Sequence, residues 1–515
     1  MPVLTAIDVL GVQRYIFATN RLRDIAAASC LVDWATARGG ALGAVAQRPR
    51  EILLAGGGNA IVAFDAMEEA RAFAGQYTRR LYECAPDLEV ALVHHEYTSG
   101  QLAQALLDTQ TEMAHAKLTR SPNLPLLGIS VTANCGQSGM PAVCLEDGLP
   151  VSRRIKCFNE YRDEAAGQWK SFLPDDAVAF PLELDKMGRT HGDTSFIAVV
   201  HIDGNHVGAT IQKWLQARIQ EKVDDKTLSE RYARMSASLE HHGKRAFRTI
   251  VQRVREAIVV DGKGRAVIDD GRSPLQIGLK KDTSGRVFLP MRPILLGGDD
   301  MTFVCDARIA HDLMNTALQE FQREPVEELG QIHACAGAAL VHTHAPFIRA
   351  YETAQQLCAR AKGALAGREG SALDWYIGLP RPGESLDTIW RRQYTVDGRT
   401  LSCRPYRLSQ DPDVDSWPWF SDTLMSDSGV GLRSRMWTES RNKVKALSTL
   451  AREGEDRIGE TLKSWQVIKR ELNFPKPIAE RGFHGNRTPL LDAIELIDIY
   501  MNLDSTVRNR KREGE

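Results

Sequence analysis

Three carboxylates in this chain are spaced for chemistry on phosphates. Asp299 and Asp300 follow two glycines in Pro293-Ile294-Leu295-Leu296-Gly297-Gly298-Asp299-Asp300-Met301-Thr302-Phe303-Val304, and Asp203 ends the apolar run Phe196-Ile197-Ala198-Val199-Val200-His201-Ile202-Asp203. The glycine pair between two apolar runs predicts a β-hairpin whose tip carries the acids. Glycine there permits positive φ and close approach of a ligand phosphate. Adjacent carboxylates repel each other unless a cation neutralises them. Hard oxygen ligands of this kind suit Mg²⁺, held by one or two carboxylates together with substrate phosphates. A lone Gly-Asp turn would ordinarily be a solvated hairpin; here a second copy argues otherwise.

That copy lies near the N-terminus. Val3 to Asp8 reads as a strand ending in an acid, and Glu51 to Asp65 is an apolar-glycine-apolar hairpin centred on Gly56-Gly57-Gly58-Asn59. Helix from Glu68 to Cys84, strand from Leu88 to His94 and helix from Leu102 to Lys117 follow. The later copy runs in the same order: strand to Asp203, hairpin at Gly297, helix Ala307 to Phe321, strand Ala338 to His342, helix Phe347 to Lys362, and a closing strand Leu373 to Tyr376. Ala91-Leu92-Val93-His94 repeats as Ala339-Leu340-Val341-His342, and Ala116-Lys117 as Ala361-Lys362. These landmarks predict two β-α-β-β-α-β units. The first has lost both hairpin carboxylates. The second carries an insertion, with 94 residues from Asp203 to Gly297 against 48 from Asp8 to Gly56. It holds a polar helix from Ala233 to Ile258 and a Gly/Asp-rich loop around Asp261 to Arg272.

In such a unit the first strand and the hairpin are neighbours, so Asp203 faces Asp299 or Asp300, close enough to share two divalent cations, Mg²⁺ or Mn²⁺. The second hairpin acid is expected to point to the opposite face of its strand. Asp203, Asp299 and Asp300 are therefore the candidate catalytic and metal-binding residues. Gly204, Asn205, Gly297 and Gly298 are candidates for bending the backbone round a triphosphate. Lys362, at a helix end, is the cationic clamp that phosphoryl transfer requires. Gly56, Gly57 and Gly58 would bind a second nucleotide without metal. His201 and His342 read as packed strand histidines.

Composition limits the function classes. A charged fraction of 25%, a hydrophobic fraction of 43% and a formal net charge of −1 describe an ordinary globular protein with no global basic field for nucleic acid. That disfavours a template-dependent polymerase. The nine cysteines form no CxxC pair, which predicts reduced thiols and a cytoplasmic location. Neither a signal peptide nor a membrane span is expected. Cys144 to Pro181 reads as a solvated, irregular connector. Beyond Pro380 the pattern becomes a separate helical domain, with helices from Ser434 to Leu472 and Pro489 to Met501 and a basic, mobile tail at Arg508 to Arg512.

The doubled unit, the Gly-Gly-Asp-Asp hairpin and the opening Gly11-Val12-Gln13-Arg14-Tyr15-Ile16-Phe17-Ala18-Thr19-Asn20 resemble the large polymerase/cyclase subunit of type III CRISPR systems. Related diguanylate cyclases usually continue with Glu-Phe where this chain has Asp300-Met301. The resemblance implies an α+β protein with two ferredoxin-like palm domains of the nucleotide cyclase (GGDEF-like) type and a C-terminal helical domain. The expected boundaries are a degenerate first palm at 1–143, a connector at 144–195, a second palm at 196–380 and the helical domain at 381–515. It implies an enzyme joining ATP into cyclic oligoadenylate messengers for antiviral defence, with a donor on the second palm and an acceptor on the first. Effector subunits with crRNA, or a second copy of the chain, are the expected partners. The N-terminal HD nuclease domain and the zinc-binding CxxC pairs of that family are missing from the sequence, so a short form is expected. A non-catalytic subunit that binds a nucleotide or a crRNA assembly is the alternative.

Overall fold

The computed structural model describes residues 1–121, 128–188, 196–271 and 275–504; the basic run 508–512 lies outside them. The first palm comprises β1 (Val3–Leu10), α1 (Leu22–Thr36), β2 (Glu51–Gly56), β3 (Asn59–Phe64), α2 (Met67–Cys84), β4 (Glu89–Glu96) and α3 (Leu102–Thr119). Its sheet has the order β2-β3-β1-β4. The second palm begins with β5 (Phe196–Gly204), α4 (Val207–Glu221) and α5 (Asp225–Glu256). It continues with β6 (Met291–Leu296), β7 (Asp300–Asp306), α6 (Ala310–Phe321), β8 (Ala334–His342), α7 (Phe347–Ala364) and β9 (Ala372–Ile377). The order β6-β7-β5-β8 repeats that of the first palm, and β9 adds to β8 in parallel.

Register shows how closely the copies correspond. Asp8 pairs with Asn59 as Asp203 pairs with Asp300. Each hairpin also carries an irregularity at the same place, between Ile52 and Leu54 and between Pro293 and Leu295. The Ala-Leu-Val-His identity does not follow this register. Asp8 faces Ala91 and Asp203 faces Cys335, so the matching tetrapeptides sit four positions out of step. Apolar strand residues interchange freely, and that likeness is one of composition.

Alternation along β5 explains where its acid points. Ile197 and Val199 join the core shared with the first palm, whereas Ala198, Val200 and Ile202 join the core shared with α5 and the C-terminal segment. With period 2, His201 and Asp203 fall on the side of the first palm. β7 behaves alike, with Val304 on that side and Met301, Phe303 and Cys305 on the other. The opening stretch fastens the two palms: Phe17 stacks on Tyr351 at 4.9 Å, and Asn20 Oδ1 accepts from Phe347 N at 3.0 Å.

Three expectations change. The stretch from Cys144 to Pro181 is structured, with helices Arg153–Glu160 and Arg162–Gly167 burying Ile155, Cys157, Phe158 and Ala165 against the first palm. The Gly/Asp-rich stretch forms strands Ile258–Val260, Ala266–Asp269 and Gln276–Gly278 of a small sheet. The C-terminal segment is helical, with α8 (Arg441–Glu453), α9 (Glu455–Ile468) and α10 (Leu490–Leu496), but it shares one hydrophobic core with the second palm. Its Tyr406–Arg407 pairs with β9 as a sixth strand. Arg404 and Asp492, both fully buried, form a 2.9 Å ion pair there, and Arg404 Nη1 donates to Trp375 O. Beside them Arg360 Nη1 bonds Asp374 Oδ2 at 2.7 Å. No helix among the described residues is long and apolar enough to cross a membrane.

Candidate active site

Asp203 lies at the exit of β5, directly across from Asp300, the first residue of β7. Both project from the same face, so it is the second hairpin acid, not the first, that opposes Asp203. Asp299 sits in the turn, and its carbonyl accepts from Gly204 N at 3.0 Å. Gly297 N closes the turn on Asp300 O at 2.7 Å. Gly204 is needed for this approach: a Cβ on it would stand 2.8 Å from Asp299 Cβ.

The glycines of the hairpin serve packing here rather than positive φ. A Cβ on Gly298 would meet Leu239 Cγ at 2.7 Å, and one on Gly243 of α5 would meet Gly298 O at 2.4 Å. The inserted helix thus occupies the space that sequence reasoning left for a phosphate. In the first palm the requirement is conformational, with φ of 127° at Gly56, 62° at Gly57 and 83° at Gly58.

Lys362, in the last turn of α7, donates to Asp203 Oδ2 at 2.6 Å and to Gly204 O at 2.7 Å. The expected clamp therefore stands against the carboxylate. Gly204 N and Asn205 N are both engaged within the fold, the latter with His333 O at 2.7 Å, and Asn205 Nδ2 donates to Gly370 O. Amides open to a phosphate belong instead to the start of α4, where helix geometry leaves the first N–H groups unpaired. Val207 and Gly208 line the cleft at this point. Sequence reasoning passed over them because helix N-termini leave no side-chain signature.

The acids crowd one another. Burial, then the Asp203 carboxylate, pushes Asp300 up to about 7, and burial, Asp203 and Asp300 push Asp299 up to about 6. Asp300 keeps 41% of its side chain exposed, yet its Oδ1 is sealed and completes no hydrogen bond. His201 Nδ1 lies 3.3 Å from that oxygen and 3.2 Å from Thr302 Oγ1. Burial lowers His201 to about 4, which keeps the imidazole neutral at pH 7. His201 packs edge-on to Tyr351, whose hydroxyl meets Gln13 Nε2 of the first palm at 3.5 Å. Sequence reasoning placed His201 as a packed strand residue, and that is its position; the link through Tyr351 to Gln13 carried no local signal.

The first palm keeps half of this arrangement. Lys117 pairs with Asp8 as Lys362 does with Asp203, and Val9 N donates to Gly58 O at 2.8 Å as Gly204 N does to Asp299 O. Lys117 was a landmark of the repeat and not a site residue in the sequence reading; the fold makes it one. The two turns meet, and a cleft of about 810 Å³ runs between them, lined by Asp8, Gly56, Gly57, Asn59 and Lys117 from one side and Gly297 to Asp300 from the other.

Among the described residues no group of three or more His, Cys, Asp and Glu side chains is gathered to hold a metal ion. The donor set still fits Mg²⁺ or Mn²⁺. Two opposed carboxylates with raised proton affinity and a sealed, unbonded oxygen favour a cation, and Mg²⁺ commonly takes its remaining ligands from substrate phosphates and water.

Residues 196–371 match the family model described as Cas10/Cmr2, second palm domain. The fold is similar to that of a chain from a Csm1–Csm4 cassette crystallised with AMPPNP, with TM-score 0.52 and 13% identity, covering 98% of this chain and 70% of that one. A cassette in complex with pppApApA gives TM-score 0.50 and 13% identity over 96% of this chain and 69% of the other. A cassette with cA4 aligns over 76% of this chain and 58% of its own, at TM-score 0.41 and 14% identity. None of the curated proteins compared matches the chain. Residues 196–371 are thus similar to the Cas10/Cmr2 second palm domain, and over these residues the match agrees with the resemblance to the large subunit of type III CRISPR systems read from the sequence.

Proposed function

We propose that this protein is a metal-dependent nucleotidyltransferase that joins ATP, or related nucleoside triphosphates, into a cyclic oligonucleotide second messenger of antiviral defence. The observation that carries the reading is the opposition of Asp203 and Asp300 on the face turned toward a first palm that keeps its glycine turn and its Asp8–Lys117 pair. One palm is equipped for a donor and the other for an acceptor across one cleft. Similar folds crystallised with AMPPNP and pppApApA are in keeping with this.

In the reaction a ribose hydroxyl of the acceptor attacks the α-phosphorus of the donor. A new P–O bond forms, the α–β anhydride bond breaks, pyrophosphate leaves and the hydroxyl proton passes to solvent. Asp203, Asp300 and Asp299 would hold Mg²⁺ or Mn²⁺, which supplies charge neutralisation and lowers the pKa of the attacking hydroxyl. The start of α4 receives phosphate oxygens through Val207 and Gly208 amides. Lys362, at the end of α7 beside Asp203 and Gly204, would offer its ammonium to the triphosphate oxygens. The meeting of the two turns fixes acceptor against donor, since reacting atoms must come within about 3–3.5 Å. Type III CRISPR effector subunits with crRNA, or a second copy of this chain, are the proposed partners.

A second reading, a non-catalytic nucleotide-binding subunit, draws on the Lys362–Asp203 ion pair, which substitutes for a metal. Incubation with labelled ATP, GTP, CTP and UTP plus Mg²⁺ or Mn²⁺, read by mass spectrometry, separates the two. A cyclic product with released pyrophosphate supports the enzyme. Nucleotide binding without either product, also in the presence of crRNA-loaded partner subunits and target RNA, supports the scaffold.

A further inference from the structure

The helix α5 is 32 residues long, about 48 Å at 1.5 Å per residue, and its two halves belong to different cores. Leu228, Tyr232 and Met235 pack with Leu4, Ala6, Leu53 and Ile61 of the first palm. Ala246, Phe247, Ile250 and Val254 pack with Val200, Ile202 and Phe303 of the second. Polar bonds fasten each end. The Asp225 carboxylate accepts from Gly100 N at 2.7 Å and Leu102 N at 3.0 Å, where α3 begins. The last turn of α3 carries Lys117. Near the other end Arg253 makes two bonds to Asp312 of α6, at 2.6 and 2.7 Å.

Leu239 and Gly243 lie where one half passes into the other, and there α5 meets the turn that carries Asp299. Glycine is among the poorest residues for a helix interior. Close approach accounts for it at position 243, since a Cβ there would stand 2.4 Å from Gly298 O and 2.7 Å from Gly297 O. Both are backbone atoms, which cannot swing aside as a side chain can. On its other sides the turn is held by the bond from Gly204 N to Asp299 O and by Gly57 of the first palm.

We infer that α5 is a gauge setting the two palms against each other, and that Gly243 is a positioning residue for the transfer reaction. Gly243 supplies a notch that receives the carbonyls of Gly297 and Gly298, which fixes the height of Asp299 and Asp300 beside Asp203. Asp225 fixes the same helix to α3, and through it Lys117 on the opposite wall of the cleft. One rigid element thus sets donor side and acceptor side together.

The consequence for turnover rests on the nucleotidyltransferase reading, whereas the seat of the turn is tested without nucleotide or metal. Wild type, Gly243→Ala, Asp225→Ala and the double variant are compared as whole chains by hydrogen exchange, thermal melting, ATP calorimetry and cyclic product formation. Gly243→Ala should speed exchange of the Gly204 and Gly297 amides by about 10-fold or more while the two ends of α5 stay protected. It should melt within about 4 °C of wild type, bind ATP as before, and lower kcat by about 10- to 100-fold. Asp225→Ala, a change away from the turn, should lower kcat by about 3- to 10-fold and speed exchange where α3 begins. Because both act through one helix, the double variant should lose less than the two single losses multiplied together. Independent, fully multiplying losses would overturn the gauge. So would wild-type turnover in Gly243→Ala, or exchange rising along all of α5 with an early melt, which marks a residue that only packs. If exchange at the turn rises as stated but the wild type makes no cyclic product, the seat stands and the catalytic reading falls. If product forms while Gly243→Ala keeps wild-type exchange and turnover, the catalytic reading stands and the gauge falls.

Discussion

Gly57 of the first palm lies against Gly297 of the second, so closely that a Cβ on Gly57 would stand 3.6 Å from Gly297 Cα. The residual turn of one palm is thus part of the wall of the other, which explains why it keeps its shape after losing its carboxylates.

Gly57 has φ of 62°, and a β-branched side chain there is strained as well as crowded. Gly57→Val should lower cyclic product formation by about 10-fold or more, because a small misplacement of the reacting groups is costly. Mn²⁺ and ATP binding at the second palm should persist in calorimetry. Normal turnover by this variant would move the acceptor site elsewhere.

Asp300→Asn and Asp203→Asn should each reduce nucleotide turnover by about 100-fold or more, the scale of removing a main electrostatic contributor. The Asp300→Asn variant should melt no earlier than the wild type in the absence of divalent cations, since it relieves carboxylate repulsion, whereas Asp203→Asn also gives up the ion pair with Lys362. Full activity in either would refute the assignment of the acids.

Restoring acids to the first palm should fail. Asp299 is accommodated because Gly204 has no side chain, whereas the corresponding position in the first palm is Val9. A Cβ on Gly58 already lies 3.8 Å from Val9 Cβ and 3.7 Å from Val12 Cγ2, at φ of 83°. Gly58→Asp with Asn59→Asp should therefore lose stability by about 1–3 kcal/mol, as backbone strain of this kind does. In an Asp300→Asn background it should give no new turnover; measurable product would show the first palm to be a latent second centre.

How much of this could be read from the sequence depended on the range of the interactions. Asp203, the hairpin acids and Lys362 were legible because strand ends and turns leave local patterns, and the duplicate supplied an internal control. Which acid opposes Asp203 was not legible, since a one-residue shift in register exchanges the faces of a strand. Gly298 was read as room for a phosphate because Leu239 and Gly243, which fill that space, lie in an insertion with no counterpart in the first copy. The structure of the stretch from Cys144 to Pro181 was hidden by its polarity: Ile155 and Phe158 are buried among charged neighbours that face solvent. The C-terminal segment read as separate because nothing local announces that Arg404 and Asp492 enter another unit's core.

His311 is fully buried against Trp375 and Trp417, and neither ring nitrogen has a partner. Burial, then the Arg404 charge, lowers it to about 3, below the value of about 6.5 in an unfolded chain. The unfolded state therefore takes up its proton first, and stability is lost as pH falls through 6.5 toward 3. Relative to His311→Phe, the wild type should lose about 1.4 kcal/mol per pH unit well below pH 6.5, measured by urea denaturation at pH 7.5, 6.0 and 5.0. Parallel pH profiles of the two proteins would show that His311 does not titrate in this way.

Asp374 and Arg360 sit beside the helix end that carries Lys362, and the buried pair closing over them, Arg404 and Asp492, comes from far downstream. During synthesis the second palm therefore leaves the ribosome with its strands made and its core open. It gains its final packing only when the chain through Asp492 has emerged.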